Sequence, residues 1–165
     1  MERPWLHDGF VAPDHLELPS GHHLRQIMPS DVDLDYDAVM SSQPRLWQLF
    51  GRAWRWPPPD MTKEQDLADL ERHDVEMKGN VSFNYAIFDR EEAQLLGCVY
   101  IDPPQDDDAE ADVAWWVVDG MTGTALEDAL RDEIPRWLRE EWPFDRPRVA
   151  GLDLDWEAWI RLWED

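Results

Sequence analysis

The chain has 165 residues, with 15 Lys and Arg against 37 Asp and Glu, a formal net charge of −22. That field repels nucleic acid and anionic membrane surfaces, which excludes both as partners, and it attracts cationic small molecules. Apolar residues make up 43%, with 11 Trp, so the chain folds around a real core; its one cysteine, Cys98, excludes an internal disulfide and a cysteine zinc site.

Residues 1–21 carry proline and charge without a clear period and read as an arm, with a short edge strand, lying on a single domain that spans 22–165. HHLRQIM (22–28) reads as the first strand. Ser30 is expected to cap a helix, with Asp33 three residues on and Val32, Tyr36, Val39 and Met40 sharing a face. The stretch 44–61, PRLWQLFGRAWRWPPPDM, is aromatic and broken by Pro57, Pro58 and Pro59. Thr62 with Gln65 opens a second helix, carrying Leu67, Leu70 and Met77 at helical spacing, and Gly79-Asn80 ends it. The period then becomes two: SFNYAIFD, a polar turn from Arg90 to Gln94, and LLGCVYID form a hairpin. DVAWWVV (112–118) is a central strand, apolar on both faces. A helix from about Thr124 to Glu141 buries Leu126, Leu130, Ile134, Trp137 and Leu138. Arg148–Leu154 reads as a last strand, and Asp155 caps a short Trp-rich helix.

The step from DVAWWVV through DGMTGT into the long helix carries the main chemical signal. A strand that enters a helix through a glycine-containing turn presents unpaired N–H groups and the positive end of the helix dipole, an arrangement suited to phosphate. No apolar run is long enough to span a membrane, and MERPWLHDGF lacks the pattern of a signal peptide, so a cytoplasmic location is expected.

The element order, and the residues HLRQIMPSDVDLDYDAV, NYAIFD, LLGCVYIDPP, DVAWWVV, the turn and helix, and VAGLDL-D, resemble the GCN5-related N-acetyltransferase superfamily over roughly residues 22–165. The resemblance implies an α/β (α+β) fold, a mixed, mostly antiparallel sheet flanked by helices, here without the usual C-terminal hairpin. It implies acetyl-coenzyme A as cofactor, held by Trp116, Val117 and Val118 on the strand and by Gly120, Met121, Thr122, Gly123, Thr124 and Ala125 on the turn. One register of the family's Arg/Gln-x-x-Gly-x-Gly/Ala turn puts Gly120 where Arg or Gln is expected; another starts at Val118 and ends on Gly123, and both lack the basic side chain. The final helix, DWEAWIRLWED, has no Tyr to protonate a departing thiolate. The uncovered sheet edge calls for either the N-terminal arm or a second subunit, and the second route would make a homodimer.

Acetyl transfer to an amine needs a base. Asp112 is the first candidate and Glu110 the second; Tyr100 and Asp102 on the preceding strand are further choices. Trp54, Trp56 and Tyr100, with Trp47 and Phe50 nearby, are expected to wall the acceptor site, since aromatic faces beside carboxylates suit a cationic or aromatic amine. Arg131, Arg136 and Arg139 read as partners of helix acids that could also meet the cofactor's 3′-phosphate. The histidines show no metal spacing, and Cys98 reads as a structural thiol. The expected function is acetyl-coenzyme A-dependent transfer to a small-molecule amine; the rival is a catalytically silent protein of the same fold that binds a ligand or partner.

Overall fold

The computed structural model describes residues 5–164; residues 1–4 of the expected arm, and Asp165, lie outside the described residues. Strands β1 (His15–Glu17), β2 (His23–Gln26), β3 (Phe83–Phe88), β4 (Leu95–Asp102), β5 (Ala111–Val117) and β6 (Pro147–Val149) form one sheet in that order. Neighbours are antiparallel except β5 and β6, which are parallel. The parallel pair needs a crossover, and helix α4 (Ala125–Glu141) supplies it. This is the expected mixed, mostly antiparallel sheet, with β1 as the short edge strand.

Alternation assigns the two faces. Asn84, Cys98, Tyr100, Asp102, Asp112, Ala114 and Trp116 share one face through directly opposed pairs such as Asn84–Tyr100 and Cys98–Trp116. Helices α1 (Val32–Ser41), α2 (Gln43–Trp54), α3 (Lys63–Lys78) and α5 (Trp156–Trp163) gather over that side: Cys98 touches Asp35 of α1, and Tyr100 meets Trp54 of α2 at a ring distance of 5.1 Å. Tyr85 points the other way, edge-on to Trp137 of α4 at 4.9 Å. Both faces are therefore covered, as the largely hydrophobic runs of β3 to β5 require.

Several local expectations change. Ser30 does not cap α1; a 3₁₀ turn, Pro29–Asp31, comes first, and the Asp31 carboxylate accepts the Met28 N–H at 2.8 Å while holding Arg25. The aromatic stretch 44–61 is helical as far as Trp54: Leu46 and Phe50 bury one stripe, and the helix stops where Arg55 turns left-handed (φ 54°) ahead of the prolines. The expected strand 148–154 shortens to Pro147–Val149, because Gly151 (φ 82°) and the Asp153 carboxylate on the Val149 N–H close a turn there. The Thr62–Gln65 capping box and the Asp155 cap form as expected. Among the described residues no helix is long and apolar enough to cross a membrane.

Gly97 permits the closest contact in the sheet. A Cβ added there would lie 2.0 Å from the Trp116 carbonyl oxygen, which is backbone and cannot rotate away. We expect Gly97→Ala to lower the unfolding free energy by about 1–3 kcal/mol, read as a shift in the urea midpoint.

Candidate functional site

β5 and β6 pair only over Ala111–Val113 and Pro147–Val149, then part. The Val118 N–H donates to Leu96 (2.9 Å), so alternation turns the backbone groups of Trp116 and Ala114 toward β4 and those of Val113, Trp115 and Val117 toward the gap. The Val113 carbonyl accepts from Ala150 (2.9 Å), and the Val117 carbonyl accepts from Arg45 of α2. The N–H and C=O of Trp115 and the N–H of Val117 have no partner among the described residues. A cavity of about 210 Å³ opens at this gap, lined by Arg45, Trp115, Trp116, Val117, Glu127, Arg131 and the 150–152 turn.

The turn into α4 lies at the same end. Asp119–Met121 make a 3₁₀ turn, Gly123 takes φ 74°, and Thr124 stands at the N-cap. The Thr124 hydroxyl donates back to the Met121 carbonyl at 2.6 Å instead of capping the helix, so the Ala125, Leu126 and Glu127 amides have no partner among the described residues. Nothing lies within 4 Å of a Cβ built on Gly120 or Gly123. These open donors, the space above the glycines and the two arginines fit a phosphate-bearing cofactor. Two details run against it: the Gly123 N–H donates to Glu127 Oε1 at 3.0 Å, and Asp119 pairs with Arg45 at 2.5 Å.

A larger cavity, about 570 Å³, lies between α1, α2, α3 and the sheet. Its wall contains Trp54, Trp56, Tyr100 and Trp163, together with Asp35, Asp66, Asp69, Glu76 and Asp102. Burial, reinforced by Asp66, pushes Asp35 well above the usual carboxylate range, and burial raises Asp66 and Asp69 as well. Asp102 is pushed up to about 7 by burial, then by the like charges of Glu76 and Asp112. No described residue donates a hydrogen bond to its carboxylate. His73 is held down at about 4 by burial, so it is neutral near pH 7. The two cavities share a wall: Trp116, which lines the smaller, donates its indole N–H at 2.8 Å to Tyr100 Oη, which lines the larger.

The structure thus places Trp54, Trp56 and Tyr100 on one cavity wall, and Trp116, Val117 and the turn on the other cavity or at its end. It separates Asp112 and Glu110 from both. Asp112 is 1% exposed; Arg148 binds its two oxygens at 2.7 and 3.0 Å, and the Gln105 N–H donates to it at 2.7 Å. Glu110 Oε1 accepts the Asp145 and Arg146 amides at 3.2 and 2.9 Å. Both carboxylates hold β5 against the chain that enters β6, Asp112 through both of its oxygens and Glu110 through Oε1. Arg131 lines the smaller cavity, whereas Arg136 pairs with Glu133 and Glu140 on the helix surface. Sequence reading missed Arg45, Asp35, Asp66 and Glu76: Arg45 lies on a helix hidden by the aromatic and proline run, and the acids look like solvated helix faces. Cys98 is buried and its thiol raised, as a structural cysteine's would be. No metal-ligand cluster occurs among the described residues.

No family model and no curated protein sequence matches the chain. Solved structures do. The ribosomal-protein-S5-alanine acetyltransferase from Vibrio fischeri superposes with a TM-score of 0.64 at 16% identity, covering 88% of this chain and 79% of that one. Mycobacterium smegmatis RimJ, solved with a coenzyme A disulfide, gives 0.58 at 16% identity, covering 90% and 73%. RimL, the ribosomal L7/L12 alpha-N-protein acetyltransferase, gives 0.57 at 15%, covering 76% of this chain, which spans 65% of the length of RimL. The chain has the fold of the GCN5-related N-acetyltransferases.

The Asp112–Arg148 pair generates a test. Removing one partner of a buried ion pair leaves an uncompensated charge, so Arg148→Met should destabilise by about 3 kcal/mol. Replacing both residues (Asp112→Asn with Arg148→Met) should recover most of that loss, as read by urea unfolding.

Proposed function

We propose that this protein is an acetyl-coenzyme A-dependent N-acetyltransferase whose acceptor is a small cationic amine. The observation that carries the reading is the acid-lined, aromatic-walled cavity joined through Trp116 and Tyr100 to the gap between β5 and β6. Support comes also from neighbours of the same fold solved with coenzyme A, RimL and RimJ. The titles of several neighbours name ribosomal proteins as what they modify; here buried acids and aromatic rings favour a small, diffusible ammonium.

When bound, the cofactor supplies an acetyl thioester. The Trp115 N–H and C=O and the Val117 N–H would hold its arm, and the open amides of α4 with Arg45 and Arg131 would hold its phosphates. The ammonium is drawn in by Asp69, Glu76 and Asp102 and desolvated against Trp54 and Trp56. Asp102 then takes its proton, having the acceptor lone pairs and a pKa of about 7, close to the optimum for a base at neutral pH. Tyr100 Oη accepts from Trp116 and keeps its own proton, since burial raises it well above the usual range. That makes Tyr100 the candidate donor in place of the tyrosine missing from α5.

The rival reading, a silent ligand-binding protein, is favoured by one observation: Glu127 occupies the Gly123 N–H that a phosphate would use. Titration with acetyl-coenzyme A decides between them. Gly123→Val, which places a β-branched residue at φ 74°, should weaken binding about tenfold or more; unchanged affinity would remove the turn from the site.

Asp102 gives a pH test. Activity should rise as pH passes through about 7, and Asp102→Asn should cost about 10²–10³ in kcat/KM and abolish that limb. The sign for stability is opposite. A carboxyl raised from the usual range to about 7 makes the native state bind more protons than the unfolded chain between those values, so stability falls as pH rises across that window. Asp102→Asn should therefore be less active yet more stable than the parent at pH 8, by thermal melting.

A further inference from the structure

Trp116 forms the wall between the two cavities, and packing and hydrogen bonding fix it from several sides. It stands on β5 directly opposite Cys98, and its indole reaches diagonally to Tyr100, two residues further along β4 and opposite Ala114. Ala114, on the same face, is small enough to leave room for the ring. Gly97 brings β4 against the Trp116 carbonyl, so the backbone that carries the indole is held in place. Trp56 packs on the side of the larger cavity, with ring centroids 6.3 Å apart. The residue is 1% exposed, although it lines the smaller cavity. An indole N–H can only donate. Those of Trp115, Trp137, Trp142, Trp159 and Trp163 are buried without an acceptor among the described residues, whereas that of Trp116 has Tyr100 Oη at 2.8 Å. A directed bond therefore sets the orientation of this ring, in addition to packing. Swinging it aside strips a buried donor of its acceptor, which is worth about tenfold in an equilibrium constant.

Strand alternation places this ring beside the backbone groups that open on the gap. Trp115 is opposite Val99, which is opposite Tyr85, so Trp115 and its alternate neighbour Val117 belong to the α4 face. Trp116, between them, rises on the other face, toward α2. A thioester arm held by the Trp115 and Val117 backbone has the Trp116 indole between it and the larger cavity. Each methylene added to its acyl group must displace that ring or stay out of the site. A rigid apolar wall discriminates about tenfold or more per methylene.

We propose that Trp116 sets the length of the acyl group: locked on Tyr100, its indole lets an acetyl group in and turns away butyryl and longer chains. This rests on the acyltransferase reading and adds the residue that selects the donor. Trp116 acts here as a specificity-determining wall and takes no proton.

The test is calorimetric titration of the purified full chain, with no amine present, using coenzyme A, acetyl-coenzyme A and butyryl-coenzyme A. The parent should bind butyryl-coenzyme A about tenfold or more weakly than acetyl-coenzyme A. Trp116→Leu keeps the position apolar and removes the wall, so the two acyl forms should bind alike. The readout is the ratio of the two affinities within one protein, so a general loss of binding in the variant cancels. Where Trp116→Leu does not fold, Tyr100→Phe keeps the neighbouring ring and removes the oxygen that holds the indole, and the butyryl penalty should fall several-fold. Equal binding of acetyl- and butyryl-coenzyme A by the parent, or a penalty unchanged in the variant, overturns the proposal and leaves the transferase reading standing. Binding of none of the three coenzymes sinks that reading and this proposal with it.

Discussion

The site depends on where β5 and β6 stop pairing. Two parallel strands joined by a helical crossover would ordinarily continue their ladder, and these part after Val113 and Val149. The Asp112–Arg148 ion pair fixes the last paired rung, and Glu110 ties the start of β5 to the amides leading into β6. Beyond that rung the tight turn at Gly151 carries β6 away, and the backbone of Trp115 and Val117 faces a gap. A pair of acids that would be costly to bury alone becomes a clamp because each has its donors. The clamp keeps the sheet closed on one side of the rung and lets it open on the other.

Electrostatics then divides the molecule's surplus of acid into two kinds. Most of the carboxylates behind the charge of −22 are solvated or paired with arginine or lysine on helix faces. Around the larger cavity, burial raises Asp35, Asp66, Asp69 and Asp102. Keeping charge there works against folding, since both desolvation and mutual repulsion oppose it. A cationic ligand would relieve both penalties at once, so an arrangement that opposes folding would also attract a cation. Aromatic walls strengthen this by excluding water and offering their faces to an ammonium.

The order of strands, the hairpin, the capping box at Thr62 and the buried stripe of α4 were legible because each is written in local period or in a short motif. Trp54, Trp56 and Tyr100 could be grouped for the same reason, being aromatic and close to strand or proline signals. α2 was not legible: a proline at its start, a glycine inside it and tryptophans throughout obscure a helical stripe that only Leu46 and Phe50 define once packed. Asp112 stood out in the sequence by its proximity to the central strand, since no sequence pattern tells a clamped acid from an open one. The difference is Arg148, which is 36 residues away and becomes a neighbour only through the parallel pairing. Asp35 and Asp66 escaped for the opposite reason: an acid on an amphipathic helix ordinarily faces water, and these two face the sheet.

The turn before α4 shows how a polar site can stay satisfied while remaining available. Two of the groups there are met by side chains, the Gly123 amide by Glu127 and the Val117 carbonyl by Arg45. Arg45 and Glu127 keep side-chain exposures of 32% and 22%, so each can rotate toward solvent without breaking a helix or a strand. Had those donors and acceptors been closed by β6, an incoming ligand would have to break a sheet ladder. An anion arriving at the amides of α4 meets instead one carboxylate that like charge displaces and two guanidinium groups, Arg45 and Arg131, that can turn to follow it. The turn itself carries no basic side chain; the two that line the cavity beside it come from α2 and from the second turn of α4, at positions that no turn motif would reveal.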